Sequence, residues 1–140
     1  VLDWEMATLG DPLMDLGSAL AYWVEETDHH IFKSTRRQPT NLKGMFTRKE
    51  VVKYYLDKTG LHTDNWTFYE VFGIFRLAVI AQQIYYRYYH KQTNNPAFKD
   101  FWIVIHALHI RALKLIGKQK FEANEIAQKY ISKLQEILAK

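Results

Sequence analysis

The sequence predicts a mainly α fold with a vestige of strand at its N-terminus. Apolar residues recur at spacings of three and four through most of the chain, and helix start and stop signals bracket those stretches. Strand-like character is confined to Val1-Leu2, which run directly into Asp3. Of the 140 residues, 48% are hydrophobic and 24% are charged, which is enough apolar material for a core and too little charge for a disordered segment. No internal repeat or linker divides the chain, so residues 1–140 read as a single helical unit.

The elements follow in order. Asp11 is an N-cap with Pro12 at the first helical position. Leu13, Leu16, Leu20, Trp23 and Val24 then give one buried face, and the helix is expected to end near Glu26. From Asp28 to Phe46 no period is sustained, and Pro39 and Gly44 break the chain, so this stretch reads as a long loop. Thr47 and Glu50 form a capping box for a second helix that Gly60 closes.

A third helix, from about Trp66 to Tyr89, carries Phe68, Phe72, Phe75, Val79, Ile80 and Ile84 at helical spacing. It is apolar on its opposite side too, so it should be central. Asn95-Pro96 repeats the cap-then-proline signal, and Phe98, Trp102, Ile105, Leu108, Leu113 and Ile116 carry a fourth helix to Gly117. A final amphipathic helix near Asn124 has the stripe Ile126, Tyr130, Leu134 and Leu138. Glu125 with Lys129 and Glu136 with Lys140 are its exposed pairs.

Several classes of protein drop out. The chain has no cysteine, which excludes disulfide stapling, thiol catalysis and thiolate metal sites and fits a reducing, cytoplasmic compartment. Its apolar runs are interrupted well before the ~18 residues a membrane span requires, so no membrane partner is expected. Nucleic acid is not expected either, because Arg36-Arg37 lacks interleaved aromatics and no helix-turn-helix or zinc-finger spacing is present.

Charge is distributed unevenly. Residues 1–28 carry seven acids and no Lys or Arg, whereas residues 30–53 carry seven bases and the single acid Glu50. Two readings stand. The acids attract metal or a cationic substrate while the bases attract an anion, or the two halves attract each other across a solvated surface.

The chemistry is concentrated in VLDWEMATLGDPLMDLG, residues 1–17. Phosphoryl transfer needs a carboxylate at the end of a rigid element, directed at a magnesium ion that bridges nucleotide phosphates. Asp3 occupies such a place at a strand exit. The continuation gives D-W-E-x4-G-D-P-x2-D-L-G, a pattern with many fixed positions.

This pattern resembles the phosphotransferase family that includes aminoglycoside phosphotransferases, choline kinases and the kinase-like domains attached to some acyl-CoA dehydrogenases. TRKEVVKYYLDKTG (47–60) and FYEVFGIFRLAVIAQQIYYR (68–87) resemble that last subgroup most. The resemblance implies the helical C-terminal part of a protein-kinase-like C-lobe, with ATP and Mg as the cofactors of the complete domain.

It also implies that Asp3 is the metal ligand and that Asp11 caps the next helix. Asp15 is then a buried carboxylate bracing the catalytic loop, although an exposed first-turn acid explains it equally simply. Glu5 is a further candidate lining the metal or substrate site. Arg76 and Gln83, inside a largely apolar helix, either face the acceptor cleft or are paired structurally, Arg76 with an acid such as Asp15.

The family's catalytic loop, with its Asp base and Asn metal ligand, and its N-terminal lobe, with a phosphate-pairing Lys, are not among these 140 residues. No catalytic residue is therefore expected here, and no kinase activity from this chain alone. The chain begins like the middle of an element, so the expected partners are the missing N-terminal lobe or a second copy, with a small-molecule substrate in the complete domain.

Other clusters read as structural. His106 and His109 lack a third ligand, Glu25, Glu26, Asp28, His29 and His30 lack fixed metal-ligand spacing, and Tyr85, Tyr86, Tyr88 and Tyr89 span more than one helical face. Two functions remain: a phosphotransferase portion acting on a hydroxyl of a small molecule, or a noncatalytic helical interaction module derived from one.

Overall fold

The computed structural model describes residues 9–117, and within them the chain is helical with no strand. The expected strand at Val1-Leu2 and the amphipathic helix near Asn124 lie outside the described residues. The elements are α1 (Pro12–Ala21), α2 (His30–Thr35), α3 (Arg48–Thr59), α4 (Trp66–Tyr89), a 3-10 turn (Pro96–Phe98) and α5 (Phe101–Ile116).

α4 is the central helix, packed against α1 on one side and α5 on another. Its contact with α1 is made by two glycines. A Cβ added at Gly17 would sit 2.8 Å from the carbonyl carbon of Tyr69 and closer still to its oxygen. One added at Gly73 would sit 2.9 Å from the amide nitrogen of Ser18 and closer still to the Gly17 oxygen. Glycine inside a helix costs roughly 0.5–1 kcal/mol relative to alanine. Here that loss accompanies backbone-to-backbone contact that no other residue permits.

The core lies beside this crossing, where Ile74 and Leu108 are fully buried and Ala21 packs with them. Burying an Ile or Leu side chain stabilises by about 1.5–3 kcal/mol, so this pair anchors the α4–α5 hairpin. A second cluster joins Ile31 of α2 to Ile103 and Ala107 of α5, with Phe32 and Trp102 against it.

Four expectations are corrected. α1 ends at Ala21 rather than near Glu26, because both polar groups of the Val24 backbone are taken by Thr40. The Thr40 hydroxyl accepts from the Val24 amide at 3.0 Å and donates to the Val24 carbonyl at 2.9 Å. Thr40 is buried, so this exchange replaces continued helix with a closed side-chain link.

The stretch from 28 to 46 is not all loop, since it holds α2. Ser34 and Thr35 both donate to the Ile31 carbonyl at 2.9 Å, and Ile31 is buried against α5. Tertiary packing of Ile31 makes this one-and-a-half-turn helix, which has no periodicity to read. Asn95-Pro96 starts only the 3-10 turn, in which Asn95 accepts from the Ala97 amide, and α5 begins separately at Phe101.

The fourth correction concerns α4. Phe68, Phe75, Val79 and Ile80 of the predicted stripe are exposed, and the buried residues are Gly73, Ile74 and Ala81. A helix buries the face on which it can approach its neighbours, and on α4 that is the face with the small residues. The remaining signals are realised as read. Thr47 and Glu50 form both hydrogen bonds of a capping box, and Gly60 and Gly117 close α3 and α5 in left-handed conformation.

Candidate functional site

Asp3 and Glu5, the expected metal ligand and its neighbour, lie outside the described residues. The part of the motif that is described begins at Leu9 and enters α1. Asp11 does two things there. Its Oδ1 accepts from the Leu13 amide at 2.9 Å, capping α1, and its Oδ2 accepts from the Tyr69 hydroxyl of α4 at 2.6 Å. The Tyr69 hydroxyl first and the Leu13 amide second hold the Asp11 carboxyl below its ordinary pKa, and the same bond pushes the Tyr69 hydroxyl up. Asp11 is thus a cap tied to the central helix.

Asp15 is exposed on the first turn of α1. At this position an acid is favoured by the positive end of the helix, the simpler of the two readings. Arg76 is exposed too, and its Nη1 donates to the Ser18 hydroxyl of α1 at 3.4 Å rather than to Asp15. Gln83 is exposed two turns further along α4, beside Val79 and Tyr86. Because Arg76 and Gln83 face outward, neither needs a buried partner. The structure therefore brings Asp11 to Tyr69 and Arg76 to Ser18, and does not gather Asp11, Asp15, Arg76 and Gln83 into one pocket.

Among the described residues no group of three or more His, Asp or Glu is placed to hold a metal ion. Asp11 is committed to the two donors above. His106 Nδ1 contacts the Trp102 carbonyl at 2.7 Å and His109 is exposed.

Residues the sequence reading set aside form the densest polar cluster, at the far end of α1. Arg48, at the start of α3, donates from Nη1 and Nη2 to the two carboxylate oxygens of Asp28, each at 2.7 Å, and from Nη1 to the Trp23 carbonyl at 2.7 Å. Its backbone amide donates to Glu25 Oε1 at 2.5 Å, and its Nη2 lies 3.4 Å from Glu25 Oε2. Burial pushes the Asp28 carboxyl up, but Arg48, the Glu25 amide and Arg111 together hold it below its ordinary value.

Next to this cluster, Arg111 of α5 donates to Glu70 of α4 at 3.4 Å and lies over the Phe32 ring at 5.8 Å. Together with His29 and Lys114 these groups line a cavity of about 400 Å³. Burial first, then the neighbouring His30, Lys114 and Lys33, hold the His29 pKa below its ordinary value.

Of the two readings of charge, mutual attraction is therefore realised at Arg48. The acids that close around it, Glu25 and Asp28, belong to the N-terminal acidic run, and Arg48 belongs to the basic one. The signal that could have found it was the placement of Arg48 as the first residue after a cap, where its side chain reaches back over the preceding loop.

Comparison with known proteins places this arrangement. The sequence model of the phosphotransferase enzyme family matches residues 1–50, from the Asp3 motif through α1 and α2 to the start of α3, so this part of the chain is similar to that family. The chain as described is mainly α.

The curated relatives it matches are acyl-CoA dehydrogenase family members. Mouse member 10 is 40% identical over 89 residues, 62% of this chain and 8% of the relative. Human member 11 is 33% identical over 91 residues, 63% of this chain and 11% of the relative. Chicken member 11 is 26% identical over 133 residues, 88% of this chain and 16% of the relative. The chain therefore spans a small fraction of these relatives' length. No solved structure matches it significantly.

Proposed function

We propose that this chain is the C-terminal portion of an ATP- and Mg-dependent phosphotransferase that acts on a hydroxyl of a small molecule. The observation that supports this most is the D-W-E-x4-G-D-P-x2-D-L-G pattern, which lies wholly inside the region matched by the phosphotransferase family. In the complete domain the magnesium ion would offset charge on the transferred phosphoryl group, and Asp3 is the residue that would hold it.

The chain's own contribution is positional. Asp11 fixes the start of α1 through its cap and ties it to α4 through Tyr69. Gly17 lets α1 lie directly on α4, so the part of the motif within α1 rests on the most central helix of the unit.

Catalysis in this reading belongs to the complete domain, because the base and the phosphate-pairing lysine of the family lie elsewhere. Its setting is the cytoplasm. No helix among the described residues is long and apolar enough to cross a membrane.

The test is nucleotide-dependent phosphorylation measured on a polypeptide carrying the preceding catalytic loop and N-terminal lobe, beside the 140-residue chain. Activity should require the longer polypeptide and fall by at least 10²-fold with Asp3→Asn, as expected when a transition-state charge is left uncompensated. Full activity of the Asp3→Asn polypeptide would overturn the assignment of Asp3. An inactive wild-type polypeptide that still binds a protein partner through these helices would support the alternative, a noncatalytic interaction module.

A further inference from the structure

The cavity of about 400 Å³ between α2, α4 and α5 has a mixed lining. Phe32 of α2 and Ile110 and Leu115 of α5 are apolar, while Arg48, Arg111 and Lys114 stand against Asp28 and Glu70. Pockets for small molecules combine these two ingredients, apolar surface and a few convergent polar groups, and run from ~300 to 1,000 Å³. This one lies near the lower end of that range and suits a compact guest.

Arg111 is the unusual member of the lining. Its side chain is only 13% exposed, yet its guanidinium makes a single hydrogen bond among the described residues, the 3.4 Å contact with Glu70. A guanidinium has several N–H donors, and a charge withdrawn from water is costly unless hydrogen bonds replace that water. Arg48 shows the contrast. It is as enclosed as Arg111, but both oxygens of Asp28 and the Trp23 carbonyl receive its donors. Arg111 therefore has donors to spare beside an open cavity.

The lining also carries an excess of positive charge. Asp28 offsets Arg48 and Glu70 offsets Arg111, which leaves Lys114, on the next turn of α5, without an acid of its own in the lining. Glu25 contacts Arg48 but lines a different hollow. At His29, in the same lining, Lys114 and Lys33 both act against protonation. We propose that this cavity binds a compact organic monocarboxylate, with its carboxylate received by Arg111 and Lys114 and its apolar body against Phe32, Ile110 and Leu115. One surplus charge favours a monoanion over a phosphate dianion, the planar fork of Arg111 matches a carboxylate, and the apolar lining favours a body that an inorganic ion lacks. The proposal concerns binding and does not depend on the phosphotransferase reading.

Benzoate is the probe, with benzyl alcohol as its neutral counterpart and inorganic phosphate as the dianion. In the full 140-residue chain at constant ionic strength, benzoate should produce saturable NMR shifts at His29 and raise the His29 pKa, because a bound anion favours the imidazolium. Its affinity should exceed those of benzyl alcohol and phosphate by about tenfold, the margin of a charge-assisted pair of hydrogen bonds. Arg111→Lys keeps the charge but removes the fork and should weaken benzoate by about fivefold.

A second variant covers failure of Arg111→Lys to fold. Lys114 is exposed at the cavity's edge, so Lys114→Gln should keep the wild-type unfolding midpoint while weakening benzoate by about threefold. Shifts at His29 that do not saturate would overturn the proposal, as would unchanged benzoate binding in Lys114→Gln. Equal binding of benzyl alcohol would reduce the cavity to an apolar void. Tighter binding of phosphate would make it a site for inorganic oxyanions, and either result would overturn the monocarboxylate assignment.

Discussion

α1 is held at two places by opposite means. At its middle, where Gly17 meets Gly73, attachment depends on side chains that are absent, and backbone touches backbone. Beyond its C-terminus, attachment depends on long charged side chains, with Arg48 reaching Asp28, Glu25 and the Trp23 carbonyl. The first contact has no titratable group and no side-chain rotamers to immobilise. The second immobilises several rotatable bonds and keeps its strength only while the carboxylates are ionised. One end of the unit should therefore respond to volume and the other to pH.

The comparison breaks most severely at the glycines. Gly73→Val inserts three carbons where even one cannot fit, and overpacking of this kind costs upwards of ~3 kcal/mol. Urea unfolding of the full chain should show that loss unchanged between pH 7 and pH 4.5. Equal stability to wild type would mean that the two helices can separate freely.

Arg48→Met comes next. It leaves Asp28 and Glu25 without their cation in a largely enclosed site, which costs about 3–5 kcal/mol. This loss should depend on pH. The Asp28 pKa is lowered in the folded state, so its contribution is complete above the unfolded carboxylate value, near ~3.9, and is lost as pH falls through the lower folded value. The wild-type and Arg48→Met curves should therefore converge in acid, and a constant gap down to pH 2 would contradict this account.

Thr40→Val is smaller. It removes one hydroxyl that both accepts from and donates to Val24, and leaving those buried groups unmatched costs ~1–3 kcal/mol. Amide exchange at Val24 should accelerate in step with the lost stability.

The smallest effect belongs to Tyr69→Phe, which should leave the unfolding midpoint nearly unchanged because the bond is exposed. Its signature is local. The Asp11 carboxyl, followed by NMR, should titrate at a higher pH than in wild type, because its largest lowering influence is gone. An unshifted Asp11 would show that the link to α4 does not form in solution.

Legibility from sequence followed the same division. Caps were readable because they are local: Asp11, the Thr47 and Glu50 pair, Gly60 and Gly117 act within a few residues of themselves. The face that α4 buries was not readable from apolarity, since both sides are apolar and the choice is made by Gly73, Ile74 and Ala81 fitting against α1 and α5. Gly73, an isolated glycine in an otherwise long apolar helix, was the available signal for close approach. α2 was hidden because Ile31 is helical by virtue of Ile103 and Ala107, more than 70 residues away.

The motif itself divided in the same way. Its capping residue could be placed by local rules, while the surroundings of Asp15 depend on elements packed from elsewhere, and within the described residues its carboxylate faces solvent.

The glycine that ends the D-L-G signature has a counterpart 56 positions later, and the pair is a single steric unit written in two places. Across relatives these two positions should be constrained jointly in size: where one is enlarged, the crossing must open or the other helix must shift. A signature search centred on the first seventeen residues reads only half of that condition. Position 73, which carries no chemistry, is therefore a useful additional marker of whether a distant sequence can mount the same motif on the same helix.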